Sequence, residues 1–282
     1  MPNQTYSPLR LSFTSLGRLI QIQPSNIHRA FGVHEDLLCA TSTVFKKRLQ
    51  RRRKPISGDC SICSEALDPS IADITFCRAS CGQNVHVHCL ENWGQANAGV
   101  ITCPICLKPW QRRSTGILEL KSKTAVDPKA MQTYIDWLYT GNIQTDPTVD
   151  AGPDASNARL LRTWSVAKLM GDTKFKNAIV ALYTATVECK QNRGFWLNII
   201  WYAFETTGGD VSDMRDLIVY DFLAQVDPDW FVKEKHEYPE DFLRCVGELV
   251  SLKFGNDGSR PRLLMAMTDG EFELQTDDAD ES

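Results

Sequence analysis

The sequence predicts an α+β fold in which a small cysteine-rich module interrupts a mixed domain, followed by a mainly α-helical C-terminal region. Three observations lead to this prediction. Four closely spaced pairs of cysteine or histidine lie between residues 60 and 106. Strand-like and helical apolar patterns occur on both sides of that segment. From residue 158 onward the apolar patterns are helical.

The composition is that of a chain able to bury a substantial core. Its 282 residues are 43% hydrophobic, which is enough for one or two domains. The longest apolar stretch, Phe195–Phe204, is interrupted by Asn198 and is shorter than the roughly 20 residues of a membrane span. No charged-then-apolar leader is recognised at the N-terminus. We therefore expect an intracellular protein, cytoplasmic or nuclear, that does not contact a membrane.

Charge is unevenly distributed although the net charge is only −4. Seven lysines and arginines lie between residues 46 and 54, and Arg112 and Arg113 follow the last cysteine pair. We interpret this basic run as a solvated junction, with a nuclear-import signal or contact with an acidic partner as alternatives. Because the cations are confined to the junctions, specific nucleic-acid recognition is not expected.

The cysteine-rich segment contains the ligands for two tetrahedral Zn²⁺ sites. Its four pairs are Cys60 and Cys63, Cys77 and Cys81, His86 and Cys89, and Cys103 and Cys106. Two ligands separated by two or three residues can close on one ion from a single tight turn. Eight soft ligands fill two four-coordinate sites and leave no position for a reactive water. We expect two structural zinc ions, no catalytic residue and no disulfides.

The order of these ligands is shared by RING and PHD zinc fingers, and the intervening residues resemble a RING finger. Ile62 lies within the first pair, Trp93 four residues after Cys89, and Pro104 within the last pair. In RING fingers these three positions form the shallow apolar groove that binds a ubiquitin-conjugating enzyme. PHD fingers usually carry an aromatic residue where this chain has Ile101. A PHD-like chromatin reader is therefore the weaker alternative.

The resemblance to this cross-brace fold implies that the pairs bind metal alternately. The first site would comprise Cys60, Cys63, His86 and Cys89, and the second Cys77, Cys81, Cys103 and Cys106. His88 competes with His86 as a ligand. It adjoins the ligand Cys89, and neighbouring side chains in an extended segment point to opposite faces, so we expect His86 to be the ligand.

One departure from the RING pattern concerns activity. Active RING fingers often carry arginine directly after the last ligand, where it bridges the conjugating enzyme and its ubiquitin, but this chain has Leu107 and then Lys108. The resemblance implies a RING-type ubiquitin ligase that binds a conjugating enzyme and promotes ubiquitin transfer to a lysine of a protein substrate. Leu107 favours the alternative, a non-catalytic adaptor with a structural zinc module.

The flanks of the module resemble two parts of a BTB (POZ) domain. Upstream, a strand pattern ends at His34 and precedes the helical motifs Val33-His34-x-x-Leu37-Leu38 and Ser42-x-x-Phe45. Downstream, the alternation of Gly116–Leu120 precedes a helical pattern that ends Trp137-Leu138-Tyr139-Thr140-Gly141, as in fungal BTB proteins. The resemblance implies self-association as a homodimer, a role in partner choice, and a cullin as a candidate partner.

We therefore predict five segments. The first part of the BTB-like domain covers 17–54, the RING-type finger 55–113, the second BTB-like part 114–190, a helical region 191–256, and an acidic, disordered tail 257–282. A tandem arrangement, in which residues 1–55 form no part of such a domain, is the alternative. Residues 142–157 are predicted as a loop. Helices are predicted within 158–170 and 175–183 and near 194–206, 212–226 and 239–253.

Overall fold

The computed structural model describes residues 18–97, 99–111, 116–122, 125–143, 153–187, 193–206, 212–225 and 235–253. The chain divides into two compact units. The first comprises Met1–Gln144 and Val166–Phe175, and the second comprises Thr145–Ser165 and Lys176–Ser282. The acidic tail predicted for residues 257–282 lies outside the described residues.

The described residues of the first unit contain two β-sheets. The strands are β1 (Leu19–Pro24), β2 (Phe31–His34), β3 (Ile74–Phe76), β4 (Asn84–His86) and β5 (Ile117–Leu120). In one sheet β1 pairs antiparallel with β2 and parallel with β5. Since β5 follows the cysteine-rich segment, this parallel pairing joins the two flanks of that segment in one sheet. We call the part formed by β1, β2, β5 and their helices the host domain, and residues 55–111 the module.

Three helices complete the described part of the host domain. They are α1 (Glu35–Thr41), α2 (Thr43–Gln50) and α4 (Pro128–Thr140). The Ser42 hydroxyl caps α2 by accepting from the backbone N–H of Phe45 at 3.1 Å. Asp127 caps α4 in the same way through Lys129 N–H at 2.8 Å. The predicted strand that ends at His34, the helices after it and the strand and helix after residue 116 are thus confirmed.

A buried carboxylate connects α4 with the start of α6 (Thr173–Val187). Asp172 is fully buried, accepts from the backbone N–H of Phe175 at 2.9 Å, and accepts from the Tyr134 hydroxyl at 3.0 Å. The rings of Tyr134 and Trp137 also pack on Phe175, with centroids 5.0 and 4.7 Å away. This cluster supplies the partners that a buried polar group requires.

Within the module, β3 and β4 form an antiparallel ribbon whose turn holds Cys77 and Cys81. The chain passes from β4 directly into α3 (Val87–Ala96), so Cys89 lies in the first helical turn after His86. A small apolar core stabilises this arrangement. Its buried members are Cys60, Leu67, Ile74, Val85, Cys89 and Leu90, with Ile62, Ile101 and Trp110 packed against them.

The described part of the second unit is mainly helical, as predicted for the residues from 158 onward. It contains part of α5 (Pro153–Met170), most of α6, then α7 (Arg193–Trp201), a π-helical segment Tyr202–Thr206, α8 (Ser212–Gln225) and α9 (Glu240–Lys253). Its core includes edge-to-face contacts of Phe222 with Trp196 and Phe242, at 5.5 and 5.1 Å. Among the described helices, none combines the length and apolar character needed to cross a bilayer.

The predicted loop at residues 142–157 is wrong at its C-terminal end, where α5 already begins at Pro153. A proline is compatible with the first helical position because its missing N–H has no partner there in any case. Pro153 therefore begins a helix instead of belonging to the predicted loop.

Candidate metal centres

The eight predicted ligands converge as two separate groups of four. Cys60, Cys63, His86 and Cys89 form the first group, and Cys77, Cys81, Cys103 and Cys106 form the second. Within each group the candidate ligand atoms all lie within 4.8 Å of one another. The membership follows the alternate order of a cross-brace fold, because β4 and α3 place the third pair beside the first.

The distances within the groups fit a tetrahedral ion. Bonds of about 2.3 Å from zinc to sulfur place two sulfurs about 3.8 Å apart. The Sγ atoms of Cys77 and Cys106 are 3.8 Å apart, and those of Cys81 and Cys103 are 3.5 Å apart. In the first group, His86 Nδ1 lies 3.4 Å from Cys63 Sγ and 3.8 Å from Cys89 Sγ. With sulfur and imidazole donors, both groups are consistent with zinc.

Two similar turns present the ligands of the first and last pairs. In one, Cys60 N–H donates to Glu65 O at 2.7 Å, and in the other Cys103 N–H donates to Lys108 O at 2.9 Å. The residue after the second cysteine, Ser64 or Leu107, has a positive φ of 60° or 58°. For residues other than glycine, this left-handed backbone conformation is about 1–2 kcal/mol less stable than the usual one. The surrounding contacts must therefore stabilise it.

Histidine 86 is held in one orientation by a contact with the backbone. Its side chain is buried, and Nε2–H donates to the carbonyl oxygen of Ala66 at 3.1 Å. Nδ1, the nitrogen available to a metal ion, is directed at Cys63 and Cys89. His88 is exposed and stacks on His86 with ring centroids 5.3 Å apart. Although its Nε2 approaches Cys89 Sγ at 3.2 Å, His88 is not a member of the first group.

The protein environment affects the thiols of the second group in opposite ways. Burial raises the pKa of Cys103 to about 12, whereas the backbone N–H of Lys108 lowers the pKa of Cys106 to about 6. In the first group, burial raises the pKa of Cys89 to about 12. A bound cation favours the thiolate, which is the form that coordinates the metal. It therefore offsets the raised pKa of the buried cysteines.

The three residues predicted to contact a conjugating enzyme are all half-buried. Ile62 packs against the module core, and Pro104 lies between the two cysteines of the last pair. Trp93 lies on α3, with its indole nitrogen buried and without a hydrogen-bond partner among the described residues. Two further apolar side chains near the last pair are more exposed, Ile105 at 52% and Leu107 at 70%.

The module is attached to the host domain by residues that the sequence reasoning missed. Arg78, between Cys77 and Cys81, forms an ion pair with Glu35 of α1, and Arg53 forms one with Asp36. Asn84 is buried and donates to the backbone oxygens of Lys54 and Pro55 at 3.0 and 3.2 Å. A charged residue beside a metal ligand was visible in the sequence, but nothing local identified its partner.

The interpretation of the basic run as a solvated junction is wrong for Arg53. Its side chain is only 8% exposed, and its Nε donates to Asn84 Oδ1 at 3.1 Å. The guanidinium also lies over the Phe76 ring, 5.1 Å from the centroid. Lys46, Lys47, Arg48, Arg51, Arg52 and Lys54 are exposed as expected.

Comparison with known proteins gives a partial similarity. No protein-family model matches the chain. Over 91 residues it is 30% identical to E3 ubiquitin-protein ligase ZSWIM2 of Homo sapiens. The matched segment makes up 30% of this chain and 14% of that protein. Over 56 residues it is 41% identical to E3 ubiquitin-protein ligase Zswim2 of Mus musculus. That segment makes up 18% of this chain and 9% of the mouse protein.

The similarity is to a ubiquitin ligase. The chain spans only a small fraction of the length of these relatives, 14% and 9%. It therefore points to a shared segment and not to a shared overall architecture.

Proposed function

We propose that this protein is a RING-type ubiquitin ligase whose module binds two structural zinc ions. The observation that carries the proposal is the pair of closed four-ligand groups in alternate order. The partial similarity to ZSWIM2, itself a ubiquitin ligase, also supports it. The PHD-like reader remains the weaker alternative. Ile101 stands where PHD fingers usually carry an aromatic residue, and the partial similarity is to a ubiquitin ligase.

In this proposal the zinc ions shape the module and take no part in the reaction. Each group supplies four protein ligands, so no position is open for a hydrolytic water. The module contributes by binding a charged conjugating enzyme and holding its ubiquitin in a reactive orientation, which lowers the entropic barrier to attack by a substrate lysine. Ile62, Trp93 and Pro104 are the proposed contacts, and all three are partly exposed apolar residues of the module.

For the host domain we propose a BTB-like role in self-association or partner choice. The pairing of β1 with β5 across the module supports an interrupted domain over a tandem arrangement. A homodimer is the simplest assembly, and a cullin is a candidate partner. We propose an intracellular site of action, cytoplasmic or nuclear, without membrane or specific nucleic-acid binding.

A reconstituted reaction tests the ligase activity. The full chain is incubated with activating enzyme, a panel of conjugating enzymes, ubiquitin and ATP, and metal content is measured in parallel. We expect ubiquitin chains with at least one conjugating enzyme and roughly tenfold fewer with Ile62→Ala, because truncating a central interface contact costs more than 1 kcal/mol. Ile71→Ala is the matched control, since Ile71 is 80% exposed on the same module and outside the proposed contacts.

The second candidate function is a non-catalytic adaptor. Leu107 favours it, because this exposed leucine stands where active RING fingers often carry arginine. The absence of chains with every conjugating enzyme, from protein that holds two zinc ions, would rule out the ligase and favour the adaptor. Chains that form equally with Ile62→Ala would retain the ligase and refute the proposed contact surface.

A further inference from the structure

Arg78 connects the second metal group to the host domain. It lies in the turn between Cys77 and Cys81, and its Nη2 donates to both carboxylate oxygens of Glu35, at 2.8 and 3.0 Å. Its Nη1 donates to Leu49 O at 2.9 Å, and the guanidinium lies over the Phe76 ring, 4.2 Å from the centroid. Both terminal nitrogens are therefore used in contacts with the host domain.

Glu35 is an unusual residue to find inside the host domain. Its side chain is only 2% exposed, and it begins α1. In the described part of the chain its partners are Arg78 and, at a longer 3.4 Å, Gln50 Nε2. A cation stabilises the ionised form of a buried carboxylate, and removing one partner of such a pair is strongly destabilising. The first residue of α1 is thus paired with a cation from the turn of the second group.

The surrounding contacts come from the same short segment, residues 78–84. The backbone N–H of Lys54 donates to Gly82 O at 3.0 Å, and Arg52 Nη1 donates to Ala79 O at 2.7 Å. This segment contains Cys81 and adjoins Cys77, both members of the second group. No member of the first group takes part in these contacts. These contacts therefore connect the second metal group, and not the first, to the host domain.

We propose that Arg78 couples metal binding at the second group to the stability of the host domain. A metal ion bound by Cys77 and Cys81 fixes the turn between them and so holds the guanidinium against Glu35. When the ion is lost, the turn is free to change, and Glu35 is left as a buried charge without its cation. Loss of metal from the first group disturbs the module but leaves this contact in place. The inference requires the proposed metal binding but no ligase activity.

Hydrogen exchange across α1, read by mass spectrometry in the full chain, tests the coupling. Cys106→Ser removes a second-group ligand that lies outside the 78–84 segment, and Cys63→Ser is the matched first-group variant. Metal content is counted for each protein. We expect exchange in Glu35–Thr41 to accelerate about 100-fold in Cys106→Ser and less than about twofold in Cys63→Ser.

A double-mutant cycle decides the role of Arg78 even if one cysteine variant loses both ions. With all eight ligands present, Arg78→Gln should accelerate exchange in α1 while two ions stay bound. Adding Cys106→Ser to Arg78→Gln should then change α1 little further. Arg52→Gln, which removes an exposed contact with the same segment, is the matched control and should leave α1 unchanged.

Two results would overturn the proposal. One is an acceleration by Cys106→Ser that is as large in the Arg78→Gln background as in the unmodified chain. The other is an effect of Arg52→Gln equal to that of Arg78→Gln. When the unmodified chain holds two zinc ions, either result refutes the coupling alone and leaves the proposed function standing. An unmodified chain that binds no zinc would instead refute the coupling and the proposed function together.

Discussion

The backbone of Gly82 lies directly against the carbonyl oxygen of Arg52. A Cβ atom on Gly82 would stand 1.6 Å from that oxygen, far closer than two non-bonded atoms can approach. Gly82 also has a positive φ of 69°, which residues with a side chain rarely adopt. Since Cys81 precedes Gly82, this close approach attaches the second metal group to the chain that leaves the host domain.

Replacing Gly82 with alanine should therefore destabilise the first unit strongly. We expect the free energy of unfolding to fall by about 3 kcal/mol or more, because the new methyl group meets rigid backbone. Urea denaturation monitored by circular dichroism measures the change. Gly58→Ala is the matched control, because Gly58 has a similar φ of 72° and no atom within 4 Å of the added Cβ. It should cost only about 1–2 kcal/mol; equal losses in the two variants would contradict the close contact.

Histidines 86 and 88 should differ in their effect on metal content. His86→Ala leaves three ligands in the first group, so we expect about one zinc ion fewer per chain after dialysis. His88→Ala should retain two ions, since its exposed ring is not needed to complete either group. Native mass spectrometry counts the bound ions directly. A loss of zinc in His88→Ala with retention in His86→Ala would reverse the assignment.

The buried Asp172 should give the host domain a measurable pH dependence. Burial raises the pKa of this carboxyl above its usual value of 3.8. A carboxyl with a raised pKa in the folded chain binds its proton more tightly there than in the unfolded chain. Its contribution to stability is therefore complete below the unfolded pKa and is lost as the pH rises through the folded pKa.

In Asp172→Asn this dependence should disappear, while an acceptor for Phe175 N–H is kept. As the pH rises from below about 3.8 towards neutral, we expect the stability of the variant to increase relative to that of the unmodified chain. Urea denaturation of both proteins at each pH measures the difference, in which the shared pH dependence of the metal groups cancels. A difference that stays constant, or moves the other way, would argue against a raised pKa.

If the proposed ligase function holds, Leu107→Arg should increase ubiquitin transfer. An arginine can donate several charge-assisted hydrogen bonds to a conjugating enzyme and its ubiquitin, which a leucine cannot. We expect discharge of ubiquitin from the conjugating enzyme to free lysine to become roughly tenfold faster. Ile105→Arg adds the same charge at a neighbouring exposed position, 52% exposed, and should not accelerate discharge. A similar gain in both variants would point to a general effect of charge.

Much of the local structure could be predicted because its causes lie close together in the sequence. The pairs such as Cys60 and Cys63 are separated by two or three residues, so a single turn brings each pair together. The strand that ends at His34 and the helix before Gly141 have apolar periodicity and end signals. The start of α5 at Pro153 was missed because a proline can belong to either a loop or a first helical turn.

The sequence by itself thus determined the ligand pairs, the α+β character and the helical second unit. Only the tertiary structure decided that Arg78 meets Glu35, which lies 43 residues earlier, and that Arg53 is buried against Asp36. Short-range patterns report local backbone preferences, whereas these ion pairs join side chains that are 43 and 17 positions apart in the chain. A charge has no periodicity that identifies its partner, and long-range packing alone brings the two together.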